Sequence, residues 1–267
     1  MRSSIIIGQY VDKHSIFHQL DPRIKIISIF MLMLSFLLLD TATSYVITTF
    51  FVFTLIIVSK VPFGVILKGL KPLLFILSFT LIYHLLFTKG QVIWSIGFIT
   101  ISFEGMVAGI RFVWRILLLV LLASLLTLTT KPLILAKGLE KLLKPLSKLR
   151  VPIEQFSLMI VIAIRFIPTV LEELNRIVLA QKSRGFDIKS LPFMKRILAY
   201  VPIVIPLLFT TIQRADQLSD AIDARGYGDG KNRTSYIELH FEKKDFIAML
   251  VTILFVLVLF FIKWSGM

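Results

Sequence analysis

Long apolar runs, separated by short polar segments, dominate the first half of the chain. From Ile26 to Ser59 the only charged residue is Asp40. A single helix over this stretch would be about 51 Å long, whereas the hydrocarbon core of a bilayer is about 30 Å thick. The polar residues at 40–44 therefore predict a turn between two short, tilted membrane spans, at about 24–40 and 44–60.

Three further apolar runs complete a prediction of five spans; they lie at about 70–87, 105–129 and 245–264. The first helix should begin at Asp21, because Asp is a good N-cap and Pro22 suits the first helical position. Arg111 and Arg115 share one face of the fourth span. Charges inside a span are often functional, but both side chains could also lie near the interface and reach water.

Two shorter segments interrupt or follow the spans. Residues 88–103 alternate only in part between apolar and polar, which predicts an interfacial loop or a small hairpin with Trp94 at the level of the head groups. Residues 236–241 alternate well enough to form a strand or an extended linker.

Charges and prolines become frequent between residues 131 and 244. Lysines and leucines at 131–149 predict a basic amphipathic helix, which usually lies on a membrane surface. Two long helical patterns follow, each apolar at first and polar later; Pro168 should kink or break the first of them. The predicted organisation is therefore a membrane domain of four spans (1–130), a cytoplasmic or interfacial domain of long helices (131–244), and a final span (245–267).

The two long patterns, which open at Pro152 and Pro192, end in matching motifs 41 positions apart: Ser183-Arg184-Gly185 and Ala224-Arg225-Gly226. Glycine suits the left-handed position that follows a helix, and arginine carries a fixed charge on a planar fork of donors. Each motif therefore predicts a helix end that presents one arginine. Two ordinary glycine-capped ends with a basic last turn are the alternative, because the helix dipole favours cations there. The duplication argues against this alternative.

Composition and charge place the chain in a membrane. Of its 267 residues, 57% are hydrophobic, none is cysteine, and the formal net charge is +14. With the five spans above, 26 of the 30 Lys and Arg residues lie on the side of the N-terminus. Because cytoplasmic loops collect basic residues, we expect a multi-pass protein of a bacterial-type cell membrane with a cytoplasmic N-terminus, bound to lipid and not to nucleic acid. No cleaved signal peptide is predicted.

Several chemistries are not supported by the sequence. It contains no G-x-x-x-x-G-K-[ST] loop, so we do not expect the chain to hydrolyse ATP. His14 and His18 share a helical spacing without an accompanying carboxylate cluster, so neither a metal nor a cofactor is predicted. Neither a nucleophile elbow nor a zinc-protease motif occurs, and we expect no catalytic residues. The scarcity of charges within the spans argues against an ion-driven transporter.

The chain resembles, over nearly its whole length, the transmembrane T component (EcfT, CbiQ-like) of energy-coupling factor transporters, which are ABC-type importers of vitamins and metals. The two Arg-Gly motifs carry the resemblance; Ser183 stands where the family often has Ala. The supporting segments are Leu20 to Lys25, Arg165-Phe166-Ile167-Pro168 and Ala221 to Gly228.

The resemblance implies a non-catalytic subunit of an ATP-driven transporter. Two ABC-type ATPase subunits would bind Ser183, Arg184, Gly185, Ala224, Arg225 and Gly226. A separate substrate-binding membrane subunit, the S component, would rest on the apolar parts at about 153–168 and 193–210. Substrate specificity would then lie in another chain.

Two alternatives come from other classes. One is a stand-alone membrane transporter, which should take up substrate in cells without partner ATPases. The other is an enzyme or scaffold that uses the basic region on anionic lipids. The second accounts for the positive charge but not for the duplicated motifs, and co-purification of ATPases would distinguish it from a T component.

Overall fold

The structure is a computed structural model that describes residues 10–96, 99–149, 151–186, 192, 197–227 and 239–265. The chain divides into two compact units, Met1–Leu142 with Leu239–Met267, and Leu143–Glu238. The first unit contains α1 (Ile16–Gln19), α2 (Pro22–Phe36), α3 (Ala42–Ser59), α4 (Phe63–Phe87), β1 (Val92–Ile96), β2 (Ile99–Ser102), α5 (Phe103–Thr129), most of α6 (Pro132–Leu143) and α9 (Lys243–Ser265). The second contains a 3₁₀ helix (Lys144–Leu149), α7 (Ile153–Ser183) and α8 (Val201–Ala224).

Five helices among the described residues are long and apolar enough to cross a membrane: Ala42–Ser59, Phe63–Phe87, Phe103–Thr129, Ile197–Ala224 and Lys243–Ser265. Their outward faces carry exposed aromatic side chains such as Phe50, Phe75 and Phe261, as expected for surfaces in contact with lipid. The predicted fold class, an all-α membrane protein with about five spans and a further helical region, is confirmed.

The five helices differ in one member from the five predicted spans. The span predicted at 24–40 corresponds to α2, whose 15 residues make only about 22 Å of α-helix. It ends early because the amides of Leu37, Leu38 and Leu39 bond to carbonyls three residues back, which tightens the chain into a 3₁₀-type turn. The fifth helix of the set is instead Ile197–Ala224, which includes α8 and which was assigned from the sequence to the polar domain. It qualifies as a candidate span because its first half is almost free of charge.

The core of the first unit lies between α2, α3, α5 and α9. Phe36, Val52, Leu122 and Leu259 are at most 2% exposed, and Phe51 stacks on Phe255 with 3.8 Å between ring centroids. Because lipid is as apolar as these side chains, close packing rather than the removal of water holds such helices together.

Helices α4 and α5 approach each other closely. A Cβ added at Gly105 would lie 2.6 Å from the carbonyl oxygen of His84, and one at Gly109 would lie 3.0 Å from Leu81. The two glycines stand four residues apart, the spacing that lets helix backbones meet in membranes. Ser102 caps α5 by accepting a hydrogen bond from the Gly105 amide.

The predicted hairpin is confirmed. Strands β1 and β2 pair antiparallel between α4 and α5. The side chain of Trp94 lies outside the described residues. The last span and the predicted N-cap at Asp21 also agree with the structure, where Asp21 accepts a hydrogen bond from the Arg23 amide.

Three expectations about the second half differ from the structure or fall partly outside the described residues. Helix α7 continues through Pro168 without interruption, so the break that the proline allowed is not present. The basic amphipathic helix predicted at 131–149 ends at Leu143 and continues as a 3₁₀ helix. Residues 239–242 form neither helix nor strand, and 236–238 lie outside the described residues.

Candidate functional site

The first Arg-Gly motif ends α7. Arg184 is the C-cap, and Gly185 follows with φ +79°. The Gly185 amide donates to the Lys182 carbonyl at 2.9 Å, and the Phe186 amide donates to the Gln181 carbonyl at 3.1 Å. These two bonds define a Schellman motif, in which a left-handed residue turns the chain and satisfies the last carbonyls.

The second motif ends α8 in the same way. Arg225 is the C-cap and Gly226 has φ +64°. Its amide donates to the Asp223 carbonyl at 2.9 Å, and the Tyr227 amide donates to the Ile222 carbonyl at 3.3 Å. The two helix ends therefore share one hydrogen-bond pattern, and the predicted left-handed glycines are confirmed.

All six motif residues are exposed. A Cβ added at Gly185 or Gly226 would meet nothing within 4 Å, so the backbone conformation requires glycine and crowding does not. Each arginine stands at the negative end of a helix dipole, where a cation is favoured. Each of the two helix ends therefore exposes one guanidinium group.

The surroundings of the two ends differ in charge. The residue two positions before the first arginine is Lys182, and the residue two positions before the second is Asp223; both are exposed. Asp187 and Asp229, which the sequence also places beside the motifs, lie outside the described residues. The two ends thus present one backbone geometry with unequal electrostatic fields.

Helices α7 and α8 pack antiparallel. The Gln181 side chain donates to the Pro202 carbonyl at 3.3 Å, while Glu173, eight residues earlier, meets Arg214, twelve residues later, at 3.3 Å. The end of α7 therefore lies beside the start of α8, and the two arginine ends point in opposite directions. With about 15 Å of helix from this ion pair to the end of each helix, the ends lie up to about 30 Å apart.

A second polar cluster, which we call the buried anchor, lies in the first unit and consists of Asp21, Arg23, Leu239, Phe241 and Asp245. Asp245 is 2% exposed and accepts the Asp21 amide at 2.7 Å and the Glu242 amide at 2.8 Å. Arg23 binds both carboxylate oxygens of Asp21, donates to the Leu239 carbonyl at 3.1 Å and lies 3.8 Å above the Phe241 ring. The anchor joins the start of α2 to the start of α9.

Sequence reasoning placed Asp21 and Arg23 at a helix start but missed Asp245, which it treated only as the first residue of the last span. Asp245 is the third residue of α9, and its carboxylate bonds back to the amide before that helix, as in a capping box. This local half of its role was visible in the sequence. Its contact with Asp21, 224 positions away, was not.

Other charged residues of the first unit also find partners. The Lys25 ammonium is buried and donates to the Thr129 carbonyl and to Thr130 Oγ1 at 3.2 and 3.0 Å. Arg115 bonds to the Leu39 carbonyl and lies 3.7 Å from Asp40, which also pairs with Lys263 at 2.9 Å. Arg111 remains exposed. The role of Arg115 is therefore explained by its contacts with the turn between α2 and α3.

His18 has both ring nitrogens engaged: Nδ1 lies 2.7 Å from Ser15 Oγ and Nε2 lies 2.9 Å from the Val11 carbonyl. Burial lowers the pKa of His18, and the hydrogen bond to Val11 opposes this shift. Within the described ranges, no group of three or more His, Cys, Asp or Glu side chains is placed to hold a metal.

These observations define the class: a multi-pass membrane protein with a paired-helix unit that carries two exposed arginine ends. Residues 13–236 match the CbiQ family, described as cobalt transport protein. The chain is 41% identical over 255 residues to the energy-coupling factor transporter transmembrane protein EcfT of Ruminiclostridium cellulolyticum, covering 96% of each chain. It is 40% identical over 264 residues to the EcfT protein of Bacillus subtilis, covering 98% of this chain and 100% of that one.

The EcfT protein of Acidaminococcus fermentans is also 40% identical, over 99% of each chain. The chain therefore belongs to the CbiQ/EcfT family of transmembrane components of energy-coupling factor transporters. The resemblance stated from the sequence is confirmed, and so is the role as a membrane transport component.

Proposed function

We propose that this chain is the scaffold and coupling subunit of an importer. It would transmit the ATP-driven motion of two ABC-type ATPase subunits to a separate substrate-binding membrane subunit. The observation that carries the proposal is the pair of exposed arginines, Arg184 and Arg225, on matching helix ends that point in opposite directions. ATP hydrolysis would occur in the partners, and this chain would remain non-catalytic.

The helix ends suit docking for a physical reason. A Schellman motif fixes the chain path at a helix end, so a displacement of the docked arginine is passed to the whole helix. Arginine pairs with carboxylates through two parallel hydrogen bonds, which fixes orientation as well as position. Each arginine would enter an acidic groove on one ATPase, and the unequal fields of Lys182 and Asp223 suit two grooves that are not equivalent.

The apolar halves of α7 and α8 are suited to the membrane subunit. Phe156, Met159, Val204, Leu208 and Phe209 are 44–65% exposed, although all are large and apolar. Contiguous exposed apolar surface marks an interaction site or a membrane contact. We propose that this surface supports the substrate-binding subunit and the surrounding lipid.

We further propose that the N-terminus is cytoplasmic and that the paired helices lie at the cytoplasmic face of a bacterial-type cell membrane. With the 3₁₀-type turn at 37–39 included, the first helical segment reaches about 28 Å, enough for a tilted span in a thin bilayer. If Ile197–Ala224 crossed instead, the basic segments 130–196 and 225–242 would face opposite sides, contrary to the usual bias.

Cysteine labelling tests this orientation, because the natural chain has no cysteine. We expect a membrane-impermeant maleimide to label Gly90→Cys only from outside and Gly230→Cys only from inside. Labelling of both positions from one side would contradict the topology while leaving arginine docking open.

The docking proposal is tested by replacing each arginine with alanine. Removing one partner of a buried, hydrogen-bonded charge pair commonly costs about 2–5 kcal/mol, and two tethers in one complex support each other through effective concentration. We therefore expect Arg184→Ala or Arg225→Ala alone to reduce uptake more than assembly, and the double variant to abolish both. Arg184→Glu and Arg225→Glu should be worse than alanine, since like charges would meet in a desolvated groove.

Two measurements provide the readout. Co-purification of each ATPase with the chain measures assembly, and substrate uptake into cells or proteoliposomes measures transport. Arg176→Ala and Asp220→Ala serve as controls, because both are exposed charged residues further from the ends of the same helices. Full uptake by the double alanine variant would refute the proposal. Uptake in cells that lack the ATPases would instead indicate a stand-alone transporter.

A further inference from the structure

The ion pair between α7 and α8 joins equivalent positions of the two repeated segments. The Arg-Gly motifs are 41 positions apart, and Glu173 and Arg214 are also 41 positions apart. Each residue stands eleven positions before the arginine of its own motif. Glu173 Oε2 and the Arg214 guanidinium lie 3.3 Å apart.

This coincidence has a geometric meaning. When two copies of one element pack antiparallel around an approximate two-fold axis, position i of one copy meets position j of the other, and j meets i. Only a residue on the axis meets its own equivalent. The Glu173–Arg214 contact therefore marks the approximate axis of the helix pair, with about 16 Å of helix from it to either arginine.

The charges at this axis are unlike, although the positions are equivalent. Two copies of either residue would place like charges in contact, so an attractive pair requires that the copies differ here. The Glu173 side chain is 15% exposed and that of Arg214 is 40% exposed, so the carboxylate is largely shielded from water while the guanidinium keeps contact with it. Arg176 lies 3.7 Å from the same carboxylate but is 75% exposed.

The pair also opposes sliding of one helix along the other. A shift by one helical turn moves a helix end by about 5.4 Å and would leave the mostly buried Glu173 carboxylate with Arg176 of its own helix as its remaining partner. Among the roles proposed for buried charged groups, fixing the register of packed helices is the best supported.

We propose that Glu173 and Arg214 are positioning residues that set the register of α7 against α8, and with it the separation of Arg184 and Arg225. The consequence for transport rests on the proposed function, because the separation would match the two ATPase grooves. The geometric part does not depend on that function and is measured on the chain alone.

The first experiment measures the separation of the helix ends. Lys182→Cys and Asp223→Cys, introduced together into the cysteine-free chain, carry spin labels for double electron–electron resonance in nanodiscs. We expect a single narrow distance distribution for this labelled chain. Glu173→Arg or Arg214→Glu should shift or broaden it, and the charge-swapped double variant Glu173→Arg/Arg214→Glu should restore it.

Arg176→Ala is the matched control, because it removes a charge near Glu173 and leaves the contact between helices intact; it should not change the distribution. Recovery in the charge-swapped variant shows that both substituted side chains are compatible with the fold. Unchanged distances in both single variants, or no recovery in the swap, would overturn the proposal.

The second experiment measures uptake per ATP hydrolysed by the assembled transporter. We expect each single charge reversal to lower this ratio about tenfold, a typical coupling between residues in contact, and the swap to restore most of it. A shifted distance with an unchanged ratio would refute the role of the pair in transport. Docking is tested separately, by co-purification of the ATPases with the Arg184→Ala/Arg225→Ala variant. Failure of the proposed function is therefore distinguishable from failure of this inference, which the distance distribution measures.

Discussion

Arg23 and Arg184 have the same side chain in opposite settings. Arg23 belongs to the buried anchor. Its N–H groups donate to the Asp21 carboxylate and to the Leu239 carbonyl, and its guanidinium lies over the Phe241 ring. Arg184 is exposed at the end of α7 on a rigid backbone turn. An arginine that the chain itself satisfies stabilises the fold, whereas an arginine held outward on an ordered turn is available to another molecule.

The largest expected effect concerns Asp245 in the anchor. Asp245→Ala should lower the free energy of unfolding by about 3–5 kcal/mol, because one buried and one partly buried amide lose a charged acceptor. Asp245→Asn should lose less, since it keeps one acceptor oxygen. Chemical denaturation in detergent measures the effect, with Glu242→Ala as the exposed control. Equal stability of Asp245→Ala and Glu242→Ala would show that the anchor is not structural.

Arg23→Ala and Arg184→Ala test the contrast directly. We expect Arg23→Ala to destabilise the chain by about 2–3 kcal/mol, because it removes the charged partner of the buried Asp21 carboxylate and leaves it only the backbone amide of residue 23. Arg184→Ala should leave stability of the isolated chain unchanged, as is usual for exposed positions. Thermal unfolding of both variants provides the comparison, and a similar loss in the two would remove the distinction.

A smaller effect is expected at the glycines of the helix ends. Gly185→Ala or Gly226→Ala should cost about 1 kcal/mol, because an L-residue is strained at these positive φ angles although space for a methyl group exists. Asparagine tolerates this conformation better, so Gly185→Asn should be milder. Amide hydrogen exchange at the ends of α7 and α8 measures the change. Equal exchange in the alanine and asparagine variants would argue against strain as the cause.

The smallest effect is a pH dependence at His18, beside the anchor. Because burial lowers the pKa of His18, the folded chain holds the neutral ring and the unfolded chain binds a proton first. The free energy of unfolding should therefore be highest above the ordinary pKa of about 6.5 and fall as the pH drops through it. His18→Gln should flatten this part of the profile relative to His14→Gln, whose side chain is exposed. Parallel profiles for both variants would contradict the assignment.

The features that the sequence predicted well are local ones. The N-cap at Asp21 and the left-handed Gly185 and Gly226 each depend on residues within about five positions of one another, and the hairpin before α5 pairs residues at most ten positions apart. Propensity and capping chemistry act over that range. The membrane class followed from the length of the apolar runs.

Features that depend on distant partners were not predictable. No periodicity could show that Asp245 meets Asp21 or that Glu173 meets Arg214, because each residue alone resembles an ordinary polar position. The early end of α2 was also hidden, since Leu37, Leu38 and Leu39 continue the apolar run through the turn. Of the kink or break predicted at Pro168, the break does not occur; tertiary context, here the packing of α7 against α8, routinely overrides such a local preference.

The anchor also has a consequence for how the protein is made. Its two aspartates are 224 positions apart, so the ribosome must deliver nearly the whole chain before they can meet. Helices α4 and α5 with their hairpin can assemble as soon as they emerge, because their contacts are close in sequence. The anchor therefore forms last. A chain truncated before residue 239 lacks the Leu239 carbonyl and the Phe241 ring, which both contact Arg23. Such a truncated product should be recognised and degraded by membrane proteases.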